Sequence, residues 1–204
     1  FLKEIGKYQE AELHLNKAIK LNPRYANAFY NLAVLYLEKG ILFQAETHLR
    51  KAIQLKSDFA HAHYNLGFIL KNQGKLQEAK LYIKKALELN PHLTEAYLSL
   101  STMQGSEKDQ KWTTQLFSES FINNKNNGEL VNILFARSNI LHKKSKYKES
   151  AENLLRANNL KLKIHKSEAN LLIKKTYKLK IATDSINMNF QDYRYEPTSI
   201  FIVG

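Results

Sequence analysis

Residues 26–59, ANAFYNLAVLYLEKGILFQAETHLRKAIQLKSDF, and residues 60–93, AHAHYNLGFILKNQGKLQEAKLYIKKALELNPHL, are two copies of one 34-residue pattern. Gly6, Gly40 and Gly74 share that step, as do Ala11, Ala45 and Ala79, and Ala18, Ala52 and Ala86. Leu15, Leu49 and Ile83 follow it, and so do Leu21, Leu55 and Leu89, while Pro23 and Pro91 lie two steps apart with Ser57 between them. A fixed period of this length is the mark of a stacked repeat. Phe29, Leu32, Ala33 and Tyr36 recur at helical spacing and make one apolar stripe. Gly40 supplies the left-handed residue that ends this first helix. Ala45, Leu49, Ala52 and Leu55 form the stripe of a second helix, with alanines where two helices cross too closely for larger side chains. Each unit is a helical hairpin that cannot bury its own faces, so neighbours must stack.

Phe29-x2-Leu32-Ala33-x2-Tyr36 followed by Ala45-x3-Leu49-x2-Ala52 resembles the tetratricopeptide repeat (TPR) family, with Phe for its usual Trp. His63-x2-Leu66-Gly67, Ala79-x3-Ile83-x2-Ala86 and Pro91 repeat the resemblance. It implies an all-α, right-handed superhelical solenoid over residues 1–104. A cut first repeat (1–25) with Gly6 at its inter-helix turn would precede whole repeats at 26–59 and 60–93 and the start of a fourth at 94–104. Residues 105–181 read as degenerate TPR-like and capping helices. Ser106 would cap a helix holding Trp112, Leu116, Phe117 and Phe121, residues 123–128 a polar loop, and Leu130–Lys144 and Ser145–Leu160 a hairpin with Ser145 in the glycine place. A last helix would span Ser167–Ile181.

Residues 182–204 read as a linker and a short terminal strand, Ile200-Phe-Ile-Val-Gly204. A TPR array ending in Ser-Ile-Phe-Ile-Val-Gly resembles bacterial TPR-sulfotransferase fusions. That resemblance implies a downstream phosphate-binding loop for 3′-phosphoadenosine 5′-phosphosulfate, whose backbone N–H groups would face the anion. The sequence stops at Gly204, ahead of every loop residue, so it offers no catalytic or cofactor-binding residue and no cofactor of its own. Phe1 is not a natural initiator, so the true N-terminus is expected elsewhere.

Composition bounds the rest. With 204 residues, 44% hydrophobic and 25% charged, the chain is an ordinary globular one. No apolar run is long enough to span a bilayer, so no membrane partner is expected. The absence of cysteine excludes disulfides and thiolate metal sites and fits a cytoplasmic setting. His61 and His63 fall on opposite helix faces, so no metal pair is expected. Glu149 and Glu152 read as solvated. Between Lys143 and Lys180, Lys and Arg outnumber acids twelve to three within a formal net charge of +12. Lys174, Lys175 and Lys178 could form an anion patch there; an exposed lysine-rich face is the plainer reading.

In the TPR family the first helix of each hairpin lines a concave groove. Projection of the helical period places Asn27, Tyr30, Asn31, Val34 and Glu38 in it, followed by His61, Tyr64, Asn65, Phe68 and Asn72, then Glu95, Leu98, Ser99 and Thr102. Asn31 and Asn65 can pair a peptide backbone, and Tyr30, Tyr64 and Phe68 can give apolar area. Glu95 and Ser99 stand where a carboxylate clamp would need cations. The expected function is therefore a non-catalytic module binding a protein or extended peptide, as part of a sulfotransferase-like protein. Two alternatives stay open: a repeat segment that only stabilises such an enzyme, and a basic nucleic-acid-binding solenoid.

Overall fold

A computed structural model describes residues 2–103, 105 and 110–164. Among them are nine α-helices: α1 (Leu2–Leu21), α2 (Ala26–Glu38), α3 (Leu42–Leu55), α4 (Ala60–Asn72), α5 (Leu76–Leu89), α6 (Thr94–Ser101), α7 (Gln110–Phe117), α8 (Asn127–Lys143) and α9 (Tyr147–Ile164). The described residues contain no strand. Residues 174, 175, 178 and 200–204, which carry the anion patch and the terminal strand expected from the sequence, lie outside them. The chain divides into two compact units, Phe1–Ala96 and Tyr97–Gly204.

In the first unit α2 pairs with α3 and α4 with α5, while α1 packs on α2 and α3 on α4. The hairpin turns follow from glycine. Gly40 and Gly74 have φ of +73° and +78°. Each turn closes with the same double hydrogen bond: Ile41 N donates to the Tyr36 carbonyl (2.8 Å) and Gly40 N to that of Leu37 (3.0 Å), as Lys75 N does to Leu70 (2.9 Å) and Gly74 N to Lys71 (3.0 Å). Between hairpins the tight turns at Asn22–Tyr25, Lys56–Phe59 and Asn90–Leu93 close at 3.1–3.2 Å whether Pro23, Ser57 or Pro91 sits second in the turn. Leu32, Ala33, Ala45, Leu49 and Ala52 are fully buried, as are Leu66, Ala79, Ile83 and Ala86 one repeat later. Gly6 departs from the sequence expectation: it lies inside α1, which passes through it without a turn. Glycine tolerates a helix interior at a cost of about 1 kcal/mol.

Polar contacts bind successive repeats at matching positions. Glu12 accepts from Tyr36 Oη (2.8 Å) and Lys39 Nζ (2.7 Å). One step later Glu46 accepts from Gln73 (2.8 Å). Lys39 and Tyr36 hold the Glu12 carboxyl below its ordinary pKa, and burial with the Glu12 charge pushes the Tyr36 hydroxyl up to about 12. Arg50 bridges Glu46 (2.9 Å) and, across the repeat boundary, Glu78 (3.2 Å). These pairs are partly exposed, so they fix register more than they add stability.

In the second unit the fully buried Tyr97 ring lies 6.2 Å from Trp112 and 4.8 Å from Phe121. Phe121 belongs to a separate 3-10 turn (Ser120–Ile122) and not to the helix of Trp112, because α7 stops at Phe117. At the end of α7 Ser118 donates to the Gln115 carbonyl through its N–H (3.1 Å) and its hydroxyl (2.9 Å), and Arg137 donates to the carbonyls of Leu116 (2.8 Å) and Ser118 (3.0 Å). A capping box between Asn126 and Glu129 starts α8, so the expected polar loop ends earlier than Gly128. The α8–α9 hairpin buries Leu154 and Ala157 and pairs the Ser138 and Ser150 hydroxyls at 3.0 Å. Ser145 does take the glycine place, at φ +58° with the same double turn bond, Lys146 N to Leu141 O at 2.9 Å and Ser145 N to His142 O at 2.9 Å. A side chain in that conformation costs about 1–2 kcal/mol. Ser145→Gly is therefore expected to raise stability by about 1 kcal/mol, read as a higher urea midpoint; an unchanged midpoint would show that the turn is not strained.

Candidate functional site

The residues picked out on α2 and α4 occupy identical register positions. Asn27, Asn31, Val34 and Glu38 lie at helical spacing along one face of α2, and His61, Asn65, Phe68 and Asn72 take the same places on α4. On α2, Asn27, Asn31 and Glu38 are exposed and Val34 is half-buried. On α4, His61, Phe68 and Asn72 are exposed and Asn65 and Tyr64 are half-buried. Phe68, 39% exposed, is a large apolar side chain open to solvent within this polar face.

The two asparagines differ in surroundings. Asn65 Nδ2 reaches Tyr30 Oη at 3.5 Å, a long and weak bond across the repeat boundary, whereas Asn31 is open to solvent. The Tyr30 ring packs against Phe59 in a tilted arrangement, with centroids 4.6 Å apart, and Lys56 Nζ lies 5.1 Å from the Phe59 centroid. Burial raises the Tyr30 hydroxyl pKa, with a smaller opposing effect from the Asn65 amide. Tyr30 is thus held from two sides, which leaves a firm aromatic wall beside the exposed amides.

Phe59 escaped the sequence analysis because it sits ahead of α4, off any helical projection. Its 34-residue equivalents Tyr25 and Leu93, both apolar-bodied, were the available signal. Lys71 also escaped: it follows Tyr64 and Phe68 at helical spacing, is half-buried, and burial pushes its ammonium pKa down. Of the positions projected onto the fourth repeat, Glu95 and Thr102 are exposed and Leu98 is half-buried. Ser99 is buried, contrary to its expected place on an open surface. It falls in a run where Leu93, Thr94, Ala96, Tyr97, Leu100, Ser101 and Met103 are also buried, so α6 has no wide solvent face.

His63 is buried with Nε2 at 2.9 Å from the Ser57 carbonyl, while His61 is exposed, so the pair diverges as its spacing requires. Among the described residues no cluster of His, Asp or Glu could hold a metal ion. No described helix is long and apolar enough to cross a membrane.

Comparison with known proteins agrees with the repeat. Residues 2–40 and 42–74 match a family model described as TPR repeat, and residues 60–93 match one described as Tetratricopeptide repeat. The solved structure of YrrB, described as "a TPR protein with an unusual peptide-binding site", superposes with a TM-score of 0.59 at 20% identity, covering 87% of each chain. PilF from Pseudomonas aeruginosa superposes with a TM-score of 0.53 at 20% identity, over 91% of this chain and 87% of its own. No curated protein sequence matches the chain.

Proposed function

We propose that the tetratricopeptide repeats of residues 2–93 make this chain an interaction module that holds an extended peptide or protein segment on the first-helix faces of its hairpins. The observation that carries the reading is the register-matched face of α2 and α4, where exposed amides and the open Phe68 ring lie beside the Tyr30–Phe59 wall. Side-chain amides both donate and accept, so they suit the unpaired N–H and C=O groups of an extended chain. The exposed ring supplies a selective apolar contact. The peptide-binding site of YrrB lends support on the level of fold. The sulfotransferase-linked reading rests on sequence resemblance alone, that of the repeats, of the Tyr147–Asn158 stretch and of residues 199–204, and would be decided by reading the gene beyond Gly204.

The test is a peptide library panned on the full 204-residue chain. Selected peptides are expected to lose at least about tenfold in affinity on Phe68→Glu, which places a charge where an apolar contact is made. Helix content should be unchanged, because Phe68 is already solvent-facing. Peptides that bind the variant as tightly as the parent would remove this face from consideration.

A further inference from the structure

A second surface, separate from that face, lies on α3 and α5, the second helices of the two middle hairpins. Phe43 is 80% exposed and Leu81 69%, and Ile41 and Leu42 beside Phe43 are open to solvent as well. The two helices form one continuous surface here. Phe43, Thr47 and Arg50 line a shallow cleft together with Gln73 and Lys75 from the next hairpin turn. Arg50 then crosses to α5 at Glu78 (3.2 Å) and at the Tyr82 hydroxyl (3.2 Å), residues that bracket Leu81 in sequence. Single exposed apolar residues are ordinary, whereas a group of them on one surface marks an interaction site.

The same surface carries surplus positive charge. Together α3, α5 and Lys75 supply six bases (Arg50, Lys51, Lys75, Lys80, Lys84 and Lys85) against three acids (Glu46, Glu78 and Glu88). Each of those acids is already paired, Glu46 and Glu78 with Arg50, and Glu88 with Lys85 at 3.1 Å. Lys84 and Lys85 follow Leu81 by one helical turn, and Lys75 shares the cleft of Phe43.

We propose that this surface docks an acidic segment of a partner protein, whose apolar side chains cover Phe43 and Leu81 and whose carboxylates meet Lys75, Lys84 and Lys85. Charge selects that occupant. A second copy of the chain brings a formal net charge of +12, and residues 165–204 bring six bases against four acids, so neither complements a positive surface. Leucine and isoleucine offer no stacking plane to a base, which favours a protein over a nucleic acid.

The probe is a random peptide library panned on the full chain carrying Phe68→Glu, so that ligands of the first-helix face drop out. Selected peptides are expected to be rich in Asp and Glu around two or more large apolar residues, and to bind less tightly as salt rises. Phe43→Ser combined with Leu81→Ser should weaken them at least about tenfold, and so should Lys75→Glu combined with Lys85→Glu. The Phe43→Ser, Leu81→Ser chain should melt where its parent does, since both side chains already face solvent. An empty selection, peptides without acidic bias, or binding indifferent to both double changes would overturn the proposal. An oligonucleotide that binds the chain and is lost on Lys75→Glu with Lys85→Glu would overturn it too, by putting a nucleic acid on the surface. A dimer in sedimentation abolished by Phe43→Ser with Leu81→Ser would do the same in favour of a second copy. A lowered melting temperature in that variant would overturn it by showing that the chain covers these side chains itself.

Discussion

Gly67→Leu is expected to cost stability at or above the upper end of the about 1–3 kcal/mol typical of overpacked cores. Even one added carbon at this position would come within 2.6 Å of Ile83, and the neighbouring Ala79 carbonyl and Ile83 amide, at 3.1 and 3.2 Å, are backbone atoms that cannot swing aside. A leucine adds three further carbons where two helices already touch. The better helix propensity of leucine offsets less than about 1 kcal/mol of this. The matching position of the preceding hairpin is Ala33, fully buried, with Leu49 at the place of Ile83, so the fold accepts one methyl there when the residue at that place is not β-branched. Ile83→Ala should accordingly rescue part of the loss: the double variant should be less destabilised than the sum of the two single changes, since residues in contact are not additive. The readout is the urea midpoint followed by helical circular dichroism. A Gly67→Leu midpoint equal to that of the parent would mean the hairpins do not cross in this register.

Much of this geometry was legible in the sequence because the repeat states it several times. Gly40 and Gly74 mark turns by a conformation few other residues adopt, and the alanines at helix crossings mark closeness by the absence of side chain. Where one residue spoke alone, the reading was weaker. Gly6 repeats the turn glycines yet lies within α1, since glycine permits a turn without enforcing one. Ser145, in contrast, has no glycine freedom and still adopts φ +58°, because the α8–α9 pairing imposes the turn. The break between Phe117 and Phe121 was invisible because both are apolar at helical spacing, and one of the donors that satisfies the last carbonyls of α7 is Arg137, far along the chain on α8. The candidate face shows the same division. Helical periodicity found Asn31, Asn65 and Phe68, but Phe59 reaches Tyr30 from a turn, and the burial of Ser99 depends on packing around α6 that no period encodes.

Asn31→Ala combined with Asn65→Ala is expected to weaken binding of an extended peptide by roughly 1–3 kcal/mol, from about 0.5–1.5 kcal/mol net for each amide hydrogen bond. The two positions should not contribute alike. Asn31 is exposed and pairs with no described neighbour across the repeat boundary in the way Asn65 does, so Asn31→Ala removes a ligand contact and little else. Asn65 already spends one N–H on Tyr30, but at 3.5 Å that bond is weak enough to be exchanged for a peptide carbonyl. Asn65→Ala therefore deletes a ligand contact and also releases the Tyr30 hydroxyl, while the ring keeps its contact with Phe59. The loss at Asn65 should be the larger for peptides that carry an apolar residue against Tyr30, and a further Tyr30→Phe change should add little once Asn65 is gone. Helix content should hold or rise, since alanine is the better helix former. The measurement is calorimetric titration of panned peptides into the single and combined variants. Equal affinities for parent and double variant would show that these amides do not hold the peptide backbone, and the ligand would then have to be sought on another face of the repeats.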